Sequence, residues 1–282
     1  MKKVDLIVNT IDYIEAHLSE KLNLDRVAQA LHYSKYHLHR VFSQTVGMTI
    51  HDYVQRRQLT EAAKQLVSSN KSILEIALVA GYDSQQAFTT IFKALYKKSP
   101  LQFRIERNYY PLQLRFQFDS GSIPIGKYKE LATERIIKVA TKDDIQSWMA
   151  FVRIVIDGFP YLHEDEHRKV LQTFIIDQRA FIMMEGGLII GNLLISGTSG
   201  RINFLGVHPF YTKREIMELM IKMTDLANHQ EIRITSFREG DKADTGYREA
   251  LIQLGFTEAE LLIEFGYPTQ EMVLYQGEEK RG

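Results

Sequence analysis

The sequence predicts two domains of different class, an all-helical front built on two helix-turn-helix units and a mixed-sheet α/β rear. Three observations predict it. First, a two-helix unit occurs twice in the first hundred residues. Ser34, Leu38, Val41 and Phe42 recur as Ser84, Phe88, Ile91 and Phe92 at an offset of 50. Val27, Ala28, Leu31 and Tyr33 recur as Ile76, Ala77, Ala80 and Tyr82 at an offset of 49, so one residue, Asp83, is inserted in the second turn. Second, the apolar period changes along the chain. It is helical up to about residue 106, and Leu112, Leu114, Phe116 and Phe118 then alternate with polar residues as a strand does. Third, the formal net charge of zero is an average. Residues 1–108 hold 15 Lys+Arg against 10 Asp+Glu, and the remainder holds 20 against 25. A basic front suits a polyanion, and the rear is acidic.

The front elements follow from spacing and caps. Val4, Ile7, Ile11, Ile14 and Leu18 predict an amphipathic helix over residues 4–20. Asn23 caps a short helix carrying Leu24, Val27, Ala28 and Leu31, and Ser34 caps the next, which Gly47 ends. Thr49 opens a longer helix with Tyr53, Leu59, Ala62, Ala63 and Leu66 on one side. Ser72 and Glu75 form a capping box for a helix over 73–80 that Gly81 stops. Asp83 is expected to cap the following helix, and Pro100 opens a last one to about residue 106. Seven helices result.

Residues 109–132 read as a linker with a short strand, and Pro124 among Gly121 and Gly126 marks the joint. Beyond it strands and helices mix. Strands are expected at 136–139, 181–184, 188–195, 202–207, 232–237, 259–264 and 271–275, and helices at 142–155, 214–229 and 247–254. Glu185-Gly186-Gly187 signals a hairpin. Residues 133–278 make the second domain. The absence of cysteine excludes disulfides and thiolate metal sites. No signal peptide is read at the start, and no apolar run reaches the roughly 18–20 residues that span a bilayer. A cytoplasmic protein with no membrane partner is expected.

The repeat carries the functional reading. An α-helix fits the major groove, where base edges differ in donors and acceptors. With Leu38, Val41 and Phe42 inward, Tyr36, His39 and Arg40 share the outward face and Lys35 reaches a phosphate. With Phe88, Ile91 and Phe92 inward, Gln85, Gln86, Thr89 and Thr90 face outward, with Lys93 nearby. Arg suits guanine, Gln suits adenine, and a Thr methyl suits thymine. Matching cores under differing polar faces indicate one scaffold reading two different sequences of double-stranded DNA.

Residues 1–107 resemble the AraC/XylS type of transcription regulator. The carriers are Tyr33-Ser34-x-x-His37-Leu38-x-Arg40-x-Phe42, Gly47, Arg57, Ala80-Gly81-Tyr82-x-Ser84, and Phe88-x-x-x-Phe92-Lys93 with Pro100-x-x-Phe103-Arg104. The resemblance implies two helix-turn-helix motifs joined by a long helix. It further implies base contacts from Tyr36, His39, Arg40, Gln85, Gln86, Thr89 and Thr90, phosphate contacts from Ser34, Lys35, Ser84 and Lys93, and RNA polymerase as a partner. Relatives often carry Arg where Thr90 stands, so the second motif is expected to lack a guanine contact. The two helices would reach successive major-groove turns about 34 Å apart.

The rear resembles a GNAT-type N-acetyltransferase. The carriers are Gly191 in a strand, Leu205-Gly206-Val207-His208-Pro209-x-Tyr211, Leu254-Gly255-Phe256, and Tyr267-Pro268 with Met272. That resemblance implies a turn whose glycine amides bind acetyl-CoA pyrophosphate. Here the turn reads Thr212-Lys213-Arg214-Glu215-Ile216-Met217, with Glu215 and Met217 at the expected glycines. The tyrosine that serves as general acid in the family aligns with Leu251, one helical turn from Tyr247. A degenerate, GNAT-like domain that senses a small-molecule effector or contacts a partner is therefore expected, with no catalytic residue and no cofactor. The alternatives are a working acyl-CoA-dependent N-acetyltransferase tethered to a DNA-binding module, and a pure dimerisation element.

Two further features carry alternatives. His163-Glu164-Asp165-Glu166-His167 matches the zinc pattern H-E-x-x-H, but acids fill its middle and Arg168-Lys169 follow. It reads as the exposed first turn of a helix with acids at the positive end of the dipole, and no metal is expected. Trp148, Phe159 and Tyr161 either line an effector pocket or simply pack.

Overall fold

The computed structural model of the chain describes residues 3–116, 134–155, 164–197, 199–209, 211–223, 229–264 and 267–275. These fall into two compact units, residues 3–116 and residues 134–275. Among the described residues no helix is long and apolar enough to cross a membrane.

The first unit holds α1 (Lys3–Ala16), α2 (Leu24–Ala30), α3 (Lys35–Val46), α4 (Ile50–Ser68), α5 (Ile73–Val79), α6 (Gln85–Tyr96) and α7 (Pro100–Glu106). From α2 onward each helix starts where a side-chain oxygen accepts an orphaned backbone N–H. Asn23 accepts from Arg26, Ser34 from His37, Thr49 from Asp52, and Ser84 from Ala87. Ser72 with Glu75 and Ser99 with Gln102 form complete capping boxes. The expectation that Asp83 caps the sixth helix is corrected by one residue. Ser84 makes the same capping bond as Ser34, its oxygen 3.1 Å from the Ala87 nitrogen. The inserted Asp83 is displaced into solvent, where it pairs with Lys21 at 2.7 Å.

The repeat extends further in three dimensions than the alignment of side chains shows. Tyr33 N–H donates to Ala28 O at 2.9 Å, and Tyr82 N–H to Ala77 O at 3.0 Å. α3 and α6 have the same length and end at Gly47 and Lys97, both left-handed. The next helix in each copy is capped by Thr49 or Ser99, again 50 apart. The core is aromatic. Phe92 stacks on Tyr96 at 4.3 Å, and Phe103 meets both edge-on. Phe42 meets Tyr53 at 5.9 Å. Full burial of each such ring contributes about 1.5–3 kcal/mol.

The strand expected around Leu112–Phe118 does not form within the described residues, and Phe118 lies outside them. Residues 109–116 instead strap the helical unit. Leu112 and Gln113 N–H groups both donate to Thr60 Oγ1 at 3.1 Å, and Arg57 donates to Gln113 O at 2.9 Å. Tyr110 and Tyr96 exchange hydroxyl-to-carbonyl bonds, and Phe116 stacks on Tyr53 at 5.5 Å. The apolar alternation is not matched by alternating burial: Leu112, Gln113 and Phe116 are buried, Leu114 is half-buried and Arg115 is exposed.

The second unit contains β1 (Arg135–Val139), a 3-10 turn (Lys142–Asp144), α8 (Ile145–Val155), α9 (Glu164–Ile176), β2 (Ala180–Glu185) and β3 (Leu188–Ile195). It continues with β4 (Arg201–Val207), α10 (Lys213–Met223), β5 (Glu231–Phe237), α11 (Tyr247–Gln253), β6 (Thr257–Glu264) and β7 (Tyr267–Tyr275). The mixed sheet has the order β1-β2-β3-β4-β5-β7-β6. Among the described residues only β4 and β5 run parallel, and they pair at two positions, Arg201 with Arg233 and Ile202 with Ile234. Gly186 and Gly187, both at positive φ, make the tight β2–β3 turn. α10 and α11 bury Ile216, Met217, Met220 and Leu251 against the sheet with Leu193, Ile202, Ile232 and Met272.

Candidate nucleic-acid interface

α3 and α6 each sort their residues cleanly by face. Leu38, Val41, Phe42 and Val46 are buried from α3, and Phe88, Phe92, Leu95 and Tyr96 from α6. Ile91, expected inward, is half-buried. On the outer faces Tyr36 is 79% exposed, and His39, Arg40, Gln85, Gln86 and Thr90 are exposed. Thr89 is half-buried. The Thr90 hydroxyl donates to Gln86 O at 3.0 Å, which turns its hydrogen back into the helix.

The cations differ in how far they are committed. The Arg57 guanidinium is held by Glu15, Glu61 and Gln113 O, and Arg104 donates to Leu66 O and Lys71 O. Lys35 pairs with Asp25 at 3.1 Å. The hydrogen bond and charge of Asp25 hold its ammonium above the ordinary lysine value. Ser34 and Ser84 already accept helix N–H groups, so each hydroxyl keeps its single proton for an outside acceptor. Lys93 is exposed on α6.

Sequence reasoning named Tyr53 and Arg57 but missed Glu15, the group that ties them together and places these helices. Tyr53 Oη and Arg57 Nε both donate to Glu15 Oε1, at 2.9 and 2.8 Å, and Arg57 Nη2 donates to Glu15 Oε2 at 2.8 Å. The Arg57 and Glu15 side chains keep only 7% and 9% exposure, so α1 is locked to α4, the helix between the two recognition units. Burial raises the Tyr53 phenol far above its ordinary value, so it stays a donor. The available signal was a carboxylate, Glu15, four residues from Ile11 on the apolar stripe of α1.

In the second unit the expected acetyl-CoA turn is differently employed. Ile216 and Met217 are wholly buried in the core under α10. Glu215 pairs with Arg135 at 2.5 Å, and Arg135 also binds Glu185 at 2.9 Å. The Lys213 ammonium lies 4.9 Å from the centre of the Tyr247 ring, while Thr212 and Arg214 are exposed. Tyr247 Oη accepts the Val207 N–H at 3.4 Å where β4 has parted from β5. These residues do not fit a pyrophosphate. A carboxylate stands in the first turn of α10, and two of its side chains are core.

Among the described residues no three His, Cys, Asp or Glu side chains gather as a metal site. The first turn of α9 carries Glu164, Asp165 and Glu166, with Glu164 paired to Arg153 at 2.6 Å. His167 is half-buried rather than exposed. Its Nε2 accepts the Trp148 indole N–H at 3.1 Å, and burial pushes it down to about 4. Trp148 is fully buried, whereas Phe159, Tyr161 and His163 lie outside the described residues.

Two helices of this kind on one scaffold, polar and cationic on their outer faces, define a double helix-turn-helix DNA-binding protein. A family model described as a helix-turn-helix domain matches residues 27–106. The chain is 41% identical over 105 residues to the HTH-type transcriptional activator AarP of Providencia stuartii, covering 37% of this chain and 78% of that protein. It is 43% identical over 101 residues to the probable transcription factor PqrA of Proteus vulgaris, covering 35% and 83%. The chain belongs to the AraC/XylS family and is a DNA-binding transcription regulator of that type. A GNAT-family acetyltransferase structure from Bacillus cereus is similar over 51% of this chain and 99% of its own, at 17% identity and a TM-score of 0.39. The second unit is defined by its strand order rather than by that likeness.

Proposed function

We propose that this is a sequence-specific, cytoplasmic regulator in which one chain reads two unlike half-sites. Tyr36, His39 and Arg40 read the first, and Gln85, Gln86, Thr89 and Thr90 the second. Ser34, Lys35, Ser84 and Lys93 fix register on the phosphates, and the bound chain recruits RNA polymerase, as the activator named among its relatives suggests. The supporting observation is the pair of equal-length recognition helices with the same caps and unlike outer faces. Arg40→Ala is expected to cost about 1–3 kcal/mol on the cognate site and little on random DNA. Lys93→Ala is expected to weaken both alike and to flatten the salt dependence by about one counterion. Fluorescence anisotropy on cognate and scrambled duplexes reads both. Equal small losses on the two duplexes for both variants would remove this division of roles.

The rear unit, in this reading, senses a ligand without transferring an acetyl group. Glu215, Ile216, Met217 and the Tyr247 hydroxyl are already engaged where an acyl-CoA would need open backbone. Calorimetric titration with acetyl-CoA is expected to give no heat of binding up to millimolar ligand. Saturable binding there would favour the enzyme instead.

A further inference from the structure

The two copies of the repeat carry matching rings beyond their recognition helices. Tyr53 and Phe103 stand 50 residues apart, the same offset that relates Phe42 to Phe92. Phe42 of α3 meets Tyr53 edge-on at 5.9 Å, and Phe92 of α6 meets Phe103 edge-on at 5.5 Å. The strap over residues 109–116 sets one ring on each of these equivalent rings. Phe116 stacks on Tyr53 at 5.5 Å, and Tyr110 meets Phe103 at 5.4 Å. Tyr110 also exchanges hydroxyl-to-carbonyl bonds with Tyr96 of α6 itself.

Between its two rings the strap runs back along α4. Tyr53, Arg57 and Thr60 fall at helical spacing on one side of that helix. They meet the strap in reverse order: Thr60 takes the Leu112 and Gln113 N–H groups, Arg57 takes Gln113 O, and Tyr53 takes the Phe116 ring. Arg115 then pairs with Asp12 of α1 at 2.7 Å. Tyr110, Leu112, Gln113 and Phe116 are buried, so the tie is packed along its length. Two bodies joined through one helix can rock about it. A second tie, fastened to both, removes that freedom and holds their binding faces in one arrangement.

We propose that the strap is a positioning element for DNA reading. It holds α3 and α6 at one separation and one relative angle, so Thr60, Tyr110 and Phe116 select the spacing between half-sites while themselves buried away from DNA. The inference rests on the reading above, in which one chain reads two half-sites. Moving one half-site by a base pair shifts it by about 3.4 Å and turns it by about 35° around the duplex axis. A fixed pair of readers cannot follow that change, whereas a pair free to rock can.

Fluorescence anisotropy with the full-length protein tests this on duplexes of three kinds. The first is selected by the unaltered protein from a random pool, the second has one base pair added between the halves, and the third has the half read by α6 scrambled. The unaltered protein is expected to bind the lengthened duplex about ten-fold or more weakly than the selected one. In Phe116→Ala that penalty is expected to fall to about three-fold or less, while binding to the duplex with one intact half changes by less than about two-fold. Thr60→Val is expected to do the same, and Thr60→Ser to restore the penalty. Phe116→Leu, which keeps much of the packing volume without the ring, takes the place of the alanine variant if circular dichroism shows that one unfolded. Ile76→Val, a buried substitution in α5, is expected to keep the full penalty. An unchanged penalty in the folded strap variants overturns the proposal, as does an equal relief in Ile76→Val. An unaltered protein indifferent both to the added base pair and to the scrambled half overturns the two-half-site reading, and the role of the strap with it.

Discussion

His32 and Gly81 stand at the same point of the two repeated turns, 49 residues apart, and both are left-handed, at φ 58° and 81°. A side chain in that region costs about 1–2 kcal/mol, and glycine does not bear this cost. His32→Gly gives back part of it in unfolded-chain entropy, so a net gain of about 0.5–1 kcal/mol is expected. Gly81→Ala carries the same strain and a collision. Its Cβ would stand 2.9 Å from Gln58 Nε2 and 3.1 Å from Glu20 O, and that Gln58 amide binds Leu18 O and Glu20 O where α1 gives way to α2. A loss of about 2 kcal/mol or more is expected. Urea unfolding followed by helical circular dichroism measures both, since the single tryptophan lies in the other unit and does not report on this one. A stabilising Gly81→Ala, or a destabilising His32→Gly, would contradict the equivalence of the two turns. The alignment exposed the shared position but not its handedness, because histidine does not announce a positive φ as glycine does.

At the scale of the element, one hydroxyl takes two backbone N–H groups of the strap over residues 109–116. Thr60 Oγ1 receives two N–H groups and donates to Arg56 O at 2.8 Å, all buried. Thr60→Val keeps the volume and strands two amides, each unmet group costing about 1–3 kcal/mol. A destabilisation of about 2–4 kcal/mol is expected, with Leu112 and Gln113 losing hydrogen-exchange protection first and Thr60→Ser restoring it. Unchanged exchange at both amides would mean that the strap is held by Tyr110 and Phe116 instead. This strap marks the limit of what was legible. The helices of the first unit were readable because caps and periodicity are local, and the β2–β3 hairpin because Gly186-Gly187 is. The strap was misread as a strand because its partners, Thr60, Arg57 and Tyr96, lie 14 to 56 residues away. The burial of His167 depends on Trp148, 19 residues earlier and on another helix, and no periodicity within Glu164–Ile176 reveals it.

For the molecule as a whole, the two charge halves and the two unlike readers lead to one expectation about DNA. Attraction to phosphate comes from residues 1–108, with an excess of five cations, and residues 109–282, with an excess of five anions, do not add to it. In the proposed reading, electrostatics supplies contact without sequence, and the difference between α3 and α6 supplies the sequence. α3 presents Arg40 and His39, which suit guanine acceptors, whereas α6 presents Gln85 and Gln86, which suit adenine, and Thr90 with its hydroxyl turned inward and its methyl left for thymine. A two-fold dimer of identical readers selects a palindrome, because its symmetry is copied into the DNA. Here the two readers share one chain and are not identical, so the selected site is expected to be asymmetric, with a guanine-bearing half and an A·T-rich half. Selection of bound duplexes from a random pool, repeated with Arg40→Ala, tests this. The variant should lose preference in one half only, by the ten-fold or more that about 1–3 kcal/mol per base contact allows, and keep it in the other. A palindromic consensus, or a consensus blurred in both halves by the one substitution, would show that the repeat reads one sequence twice.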